Sequence, residues 1–362
     1  MERHVADLSR QLMDADSSLK VSVLVGQQGR AHPVSENDGG AAITRVRTLA
    51  RVARTPITTG LTGAMMSSNA DVFHFHFPYP GGEMAALRAN IKTPIVVTYH
   101  HDIVRQKKLL KVYRPFLDKF LARADRIVVW SPQLAANSPF LRDHQHKITV
   151  IPGGIDTARF NRTETTTAAA AELRKSISAE GPVILFVGRL VYYKGVNYLL
   201  DAMARVDGTL VLIGDGAEME ALKEQARNLG LADRVRFFPD VDDAQLTLFY
   251  QASDLLVLPS CERTEAFGLV QLEAHASGIP TICTDLPTGV TFVNRHQETG
   301  LIVPTANAGA LSEAIEKLTR DQELRFRFAS AARTRAIEEF DIAVCARRIK
   351  TVYEQVCNSA GK

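Results

Sequence analysis

The stretch with the most chemical content runs from Pro259 to Pro280, directly after the apolar run 254–258. Glu265 precedes a Phe267-Gly268-Leu269 turn, and Glu273 follows it among Leu269, Leu272, Ala274 and Ala276. An apolar run, a loop and a helical period, in that order, put a helix start at the carboxyl edge of a strand. Free backbone N–H groups and the positive end of the helix dipole attract phosphate there. One carboxylate then stands in the loop beside a phosphate-linked sugar. The other lies inside the helix, where it can accept from ribose hydroxyls. Two solvent-facing glutamates would be the plainer reading, and the apolar neighbours of Glu273 fit it badly.

A second group is Phe186-Val187-Gly188-Arg189 followed by Lys194-Gly195, in which a buried-type strand ends in Gly-Arg and a helix opens after Lys-Gly. Cations at a helix start oppose its dipole unless an anion lies between them. Fixed Arg and Lys donors there can stabilise a departing diphosphate in place of a metal ion. Leu212-Ile213-Gly214-Asp215-Gly216 ends another strand, but a lone Gly-x-Gly is a weak signal and not a full dinucleotide fingerprint.

Together these residues resemble glycosyltransferase family 4 of the GT-B fold, over residues 183–304. That family carries Gly-Arg…Lys-Gly, Gly-Asp-Gly and two glutamates separated by seven residues, ending Glu-Ala-x-Ala-x-Gly-x-Pro. In the front half, 71–78, 97–102 and 151–156 look like the family's acceptor-side loops, and the whole looks most like bacterial mannosyltransferases of surface-polysaccharide assembly. The resemblance implies that Arg189 and Lys194 hold the diphosphate, Glu265 and Phe267-Gly268-Leu269 the donor sugar and phosphates, and Glu273 the ribose. Gly188 and Gly214 join the donor site, His100 meets the sugar hydroxyls, and His76, His101 and Asp102 fall on the acceptor side. It implies a metal-independent enzyme that transfers a hexose, mannose for preference, with retention to a glycan or polyprenyl-diphosphate-linked hydroxyl. The donor is a nucleotide sugar acting as co-substrate, GDP-mannose ahead of a UDP-sugar, and no cofactor is implied. Two alternatives stay open: a UDP-hexose or UDP-N-acetylhexosamine transferase of the same fold, and an inactive nucleotide-sugar-binding protein.

Short β-branched runs alternating with helical periods are the pattern of parallel sheets covered by helices, so the expected class is α/β, with two Rossmann-like domains across a cleft. Strands are expected at 20–26, 43–49, 72–75, 94–99, 126–129 and 148–151, and then at 183–187, 209–213, 235–237, 255–258, 281–283 and 300–303. These define an acceptor-side domain over 1–152, a linker over 153–180 and a nucleotide-sugar domain over 181–338. Residues 339–362 form a C-terminal helix that can pack back on the first domain. The chain opens on an amphipathic helix bearing Val5, Leu8, Leu12 and Met13, where a doubly wound domain usually opens on a strand and a Gly-Gly turn. The first domain is therefore expected to lack its first strand, which puts acceptor positioning in question.

Charge is unevenly spread: residues 1–160 carry 21 Lys and Arg against 13 Asp and Glu, and residues 161–362 carry 22 against 27. Much of the basic excess lies in 104–126, where Arg105, Lys107, Lys108, Lys111, Arg114, Lys119, Arg123 and Arg126 interleave with apolar residues at helical spacing. A solvated face on a core helix and a surface for anionic lipid headgroups explain it about equally, and Pro115 can break the helix in two. No nucleic-acid motif accompanies the charge. The absence of an apolar run near 20 residues points to a cytoplasmic protein, peripheral at most on the inner face of the membrane. Cys261, Cys283, Cys345 and Cys357 have no metal-ligand spacing, and no metal site is expected. Asp240-Val241-Asp242 has the form of a metal-binding Asp-x-Asp, but Asp242 with Gln245 reads better as a helix cap. Cys261 reads as a small filler, His74 and His76 as residues lining a site, and His275 as a packed helix residue.

Overall fold

The computed structural model describes residues 2–28, 34–52, 55–103, 107–177 and 181–360. The chain divides into two compact units: Met1–Gly154 with Ile342–Lys362, and Ile155–Asp341. The first unit opens on α1 (Glu2–Ala15), followed by β1 (Ser22–Gln28), β2 (Val34–Asp38), β3 (Ala41–Val52), β4 (Thr55–Thr58) and α2 (Leu61–Met66). It continues through β5 (Phe73–Phe77), α3 (Pro80–Ala89), β6 (Ile95–Tyr99), α4 (Lys107–Arg123), β7 (Arg126–Val129), α5 (Pro132–Asn137) and β8 (Ile148–Val150). The second unit holds α6 (Glu164–Ile177), β9 (Val183–Val187), α7 (Val196–Met203), β10 (Thr209–Ile213), α8 (Met219–Asn228), β11 (Val235–Phe238), α9 (Asp243–Ala252) and β12 (Leu255–Leu258). After these come α10 (Leu269–Ala276), β13 (Thr281–Thr284), α11 (Val290–Val293), β14 (Gly300–Val303), α12 (Ala308–Arg320) and α13 (Gln322–Phe340). The last helix, α14 (Ile342–Ala360), belongs to the first unit.

The second unit is a six-stranded parallel sheet in the order β11-β10-β9-β12-β13-β14. Chain order thus runs 3-2-1-4-5-6, the doubly wound arrangement, and it reverses between β9 and β12. Both faces of the strands are covered, which explains their unbroken apolar runs. On one face Ile184, Phe186, Leu210, Leu212, Leu255 and Val257 pack with Leu199 and Leu200 of α7, Leu222 of α8 and Leu311 and Ile315 of α12. Each such fully buried side chain contributes about 1.5–3 kcal/mol relative to exposure.

In the first unit, β5-β6-β7-β8 form a parallel sheet. A second sheet has the order β1-β3-β2, with β4 on β3; β1 and β3 are parallel, and β2 and β4 run antiparallel to β3. The helical opening is as expected, with Leu8 and Leu12 of α1 buried against Val96 of β6, Val128 of β7 and Ile349, Val352 and Val356 of α14.

Three features depart from sequence expectation. Strands β2 and β4 were not anticipated, because Val34–Asp38 is largely polar and Thr55–Thr58 contains a proline, so neither shows an apolar run. Within 153–180, the Thr- and Ala-rich run is helix α6, since four consecutive alanines lose almost no side-chain entropy in a helix. Pro115 does not break α4; it lies on an exposed face, where water can satisfy the carbonyl left without a partner. Of the basic 104–126 segment, residues 104–106 lie outside the described residues, as do the side chains of Lys107 and Lys108. Among the described residues, no helix is long and apolar enough to cross a membrane.

Candidate active site

At the point in the second unit where strand order reverses, β9 ends in Gly188-Arg189 and β12 ends in Pro259-Ser260. Lys194 closes a short 3-10 turn and Gly195, at φ 66°, starts α7. A side chain at Gly195 would strike the Pro259 carbonyl, so glycine is what lets the two strand ends approach. Gly214, at φ 120°, meets Gly188 in the same way: its N–H is taken by Phe238, and a Cβ would strike the Gly188 carbonyl.

Lys194 Nζ lies 2.5 Å from Glu265 Oε2, with only 12% and 10% of the two side chains exposed. Ser260 Oγ donates to the same Glu265 oxygen at 3.1 Å, while Thr284 Oγ1 donates to the Ser260 carbonyl. Arg189 is exposed at this edge. Gly268, at φ 78°, caps α10 next to Leu258, the last residue of β12, so the helix starts at Leu269 beside the strand end, and the N–H of Gln271 donates to the Gly268 carbonyl. The Phe267 ring is buried, edge-on to Phe340 at 6.2 Å, so Phe267 offers backbone, not ring, to this edge. One turn into α10, Glu273 Oε2 accepts from Tyr250 Oη at 2.6 Å. Cations beside a helix N-terminus at a strand end can bind phosphate, and carboxylates there can accept from hydroxyls.

Two roles read from sequence have direct structural counterparts. Asp242 and Gln245 make both bonds of a capping box at the start of α9, so Asp242 is spent on helix N–H groups. His275 is buried, with Nε2 on Thr281 Oγ1 at 3.1 Å. At the opposite edge of the sheet, a cavity of about 310 Å³ is lined by Arg162, Arg174 and Arg325. Arg174 pairs with Asp254 and donates to the Ala252 carbonyl, and Arg325 donates to the Leu318 and Thr319 carbonyls. These cations cap the carboxyl ends of α9 and α12.

In the first unit, His100 follows β6 and is buried; its Nε2 lies 3.0 Å from Nδ1 of His76 on β5, and the two rings stack at 5.2 Å. His74 spans Tyr353 Oη at 2.6 Å and Thr98 Oγ1 at 2.7 Å. His4 of α1 stands 4.9 Å from the Trp130 ring, and Trp130 stands edge-on to His100 at 4.5 Å. Burial holds all four histidines below their usual pKa: His4 at about 4, His74 at about 3, His76 and His100 well down. They are therefore neutral near pH 7, able both to donate and to accept. Asp102 accepts from Tyr99 Oη at 2.9 Å and Ser138 Oγ at 2.7 Å, and the exposed His101 ring contacts the Asp102 carbonyl at 2.9 Å. Among the described residues, no cluster of three or more His, Cys, Asp or Glu side chains is arranged to hold a metal ion.

Sequence reasoning missed His4, Tyr250 and Tyr353, which reach these groups from other elements, and Ser260, which shares its loop with Glu265. Glu83 was also missed. It is buried in α3 with Oε1 on the Tyr79 N–H at 2.7 Å, and burial pushes its carboxyl up to about 8.

A doubly wound unit with cations and a helix N-terminus at its switch point, joined in one chain to a second α/β unit, is the domain composition of the GT-B class of nucleotide-sugar enzymes. Residues 170–335 match the family model described as glycosyl transferases group 1, and residues 1–159 that of glycosyltransferase family 4. The chain is 36% identical over 309 residues to the D-rhamnosyltransferase WbpZ of Pseudomonas aeruginosa, covering 82% of this chain and 80% of that protein. It is 34% identical over 270 residues to the O-antigen chain mannosyltransferase C of Escherichia coli, covering 75% and 71%. Sucrose-phosphate synthase from Thermosynechococcus elongatus superimposes with a TM-score of 0.81 at 25% identity, covering 97% of this chain and 92% of that one. The chain belongs to glycosyltransferase family 4 and is a glycosyltransferase of the GT-B fold.

Proposed function

We propose that this enzyme transfers a mannose-type hexose, with retention, from GDP-mannose to a hydroxyl of a glycan or polyprenyl-diphosphate-linked glycan, without a metal ion. The observation that carries the reading is the Lys194–Glu265–Ser260 cluster at the switch point, facing the start of α10. A nucleoside diphosphate placed there meets Lys194, Arg189 and the first-turn N–H groups, which stabilise the charge that gathers as the glycosidic C–O bond breaks. Glu265 faces the sugar and Glu273 the ribose. His100 and the acceptor-side residues His76, His101 and Asp102 belong to the first unit, where neutral imidazoles suit hydroxyl recognition. With the nucleophile position left to the acceptor, the departing diphosphate takes the acceptor proton on the face it leaves.

A mannose-type hexose is favoured because relatives sharing about a third of their residues are named as a mannosyltransferase and a D-rhamnosyltransferase. The acceptor is assigned to the membrane surface on α4, where Leu109, Val112 and Phe116 are exposed beside Lys111 and Lys119. The test is transfer of labelled sugar from GDP-mannose and from UDP-hexoses to α-mannoside acceptors, with the product anomer read by NMR. An α-mannosidic product is expected. Product from a UDP-sugar alone, or an inverted linkage, would overturn the reading.

A further inference from the structure

We propose that Tyr250 is the positioning residue that holds the Glu273 carboxylate for the donor ribose, and so sets a preference for ribonucleotides over 2′-deoxyribonucleotides. This rests on the reading of Glu273 as the ribose acceptor given above. Tyr250 stands on α9, not on the motif that carries Glu273, and is fully buried. Its hydroxyl donates to Glu273 Oε2 at 2.6 Å, a short bond of the charge-assisted kind. The ring has no freedom to follow a moving carboxylate, because it lies edge-on to Phe160 at 5.8 Å and Phe160 is itself buried. A phenol has one proton to give, so one carboxylate oxygen is fixed while the group as a whole keeps lone pairs for further donors. Burial and the neighbouring carboxylate push the phenol well above its usual pKa, which keeps that proton in place across the physiological range.

Glutamate has three side-chain torsions, and on a half-exposed helix face it would sample several rotamers. Anchored by Tyr250 it presents one geometry on the same short helix whose N-terminus meets the phosphates. The covalent bonds of a nucleotide limit how far its ribose hydroxyls lie from its phosphates, so a carboxylate held at one place on α10 reads the hydroxyls and not merely the charge. A bond that only tied α9 to α10 would matter equally for nucleotides with and without the 2′-hydroxyl, and that is where the two roles separate.

The test uses the full chain and calorimetric binding of GDP and 2′-deoxy-GDP, with UDP and 2′-deoxy-UDP as a second pair. In Tyr250→Phe, affinity for the ribonucleotide should fall about tenfold while affinity for the deoxynucleotide changes little. In a Glu273→Gln background the same substitution should add nothing further. Should Y250F fail to fold, Glu273→Asp retracts the carboxylate from the phenol while keeping its charge, and should show the same loss. Discrimination unchanged in Y250F (or in E273D) but lost in E273Q overturns the role of Tyr250 and leaves the ribose reading standing. Equal losses for both nucleotides in Y250F make Tyr250 a helix tie and also overturn it. Discrimination kept in E273Q, or no binding of either ribonucleotide, overturns the ribose reading and the proposal with it.

Discussion

Lys194 Nζ stands 2.5 Å from Glu265 Oε2, pairing a cation from the β9 edge with a carboxylate from the β12 loop. Neither group is well hydrated, so each depends on the other for compensation. On the proposed reading, a diphosphate entering here would compete with Glu265 for the Lys194 ammonium and free the carboxylate to face the sugar.

Breaking that pair from one side should therefore cost both fold and function. Lys194→Met is expected to lower stability by about 3 kcal/mol, because it strands a mostly buried carboxylate. The double variant Lys194→Met with Glu265→Gln should recover most of that stability, yet transfer no sugar. Urea unfolding and sugar transfer measured on the same preparations check this. A double variant as unstable as the single one would show that the pair is not the source of the loss.

Activity should persist in excess EDTA, since the account assigns charge stabilisation to Arg189, Lys194 and the α10 N-terminus, and commits Asp242 to capping α9. Loss of transfer with chelator, restored by manganese, would contradict it.

The buried histidines and Glu83 should shape stability with pH in opposite senses. His4 falls from 6.5 to about 4 in the folded chain, so the unfolded chain binds more protons in that window. Stability is fully present above pH 6.5 and declines toward pH 4, by about 1.4 kcal/mol per unit for this one group. His4→Asn should flatten that slope in urea titrations at pH 7 and pH 5; an equally steep slope would remove His4 as its source.

Glu83 rises from 4.5 to about 8, so its folded form retains a proton that the unfolded chain has lost. Its contribution is complete below pH 4.5 and shrinks as pH climbs through 8. Glu83→Gln, a neutral stand-in, should be more stable than the parent at pH 8.5 and close to it at pH 5. A variant less stable at both values would show that the carboxylate is needed in its charged form.

Much of the architecture could be read because buried parallel strands advertise themselves. Val183–Val187 and Leu255–Leu258 are apolar at every position, since helices cover both faces of that sheet. The capping box at Asp242 was equally legible, because its two partners lie three residues apart. What could not be read depends on long returns of the chain. Tyr250 meets Glu273 across 23 residues and Tyr353 meets His74 across 279, and no local spacing encodes either contact. Glu83 escaped notice for another reason: a glutamate in the first turn of a helix reads as a solvated dipole partner, and its burial is set by tertiary packing.

The exposed face of α4 should bind anionic membranes. Flotation with phosphatidylglycerol vesicles is expected at low salt and should weaken as salt rises, since Lys111 and Lys119 act through screened charge. Val112→Asp with Phe116→Asp should abolish it while transfer to a water-soluble acceptor continues. Equal binding to neutral vesicles, or none to anionic ones, would remove the membrane assignment.

The central claim is that a nucleoside diphosphate binds where β9 and β12 end, and amide hydrogen exchange of the full chain with and without GDP or UDP tests it most directly. Protection should rise in three segments, 186–195, 212–216 and 259–276, because bound phosphates take up the first-turn N–H groups of α10 and hold the glycine turns closed. Protection confined to other segments, such as those around Arg174 and Arg325, or no change with either nucleotide at saturating concentration, would contradict the account.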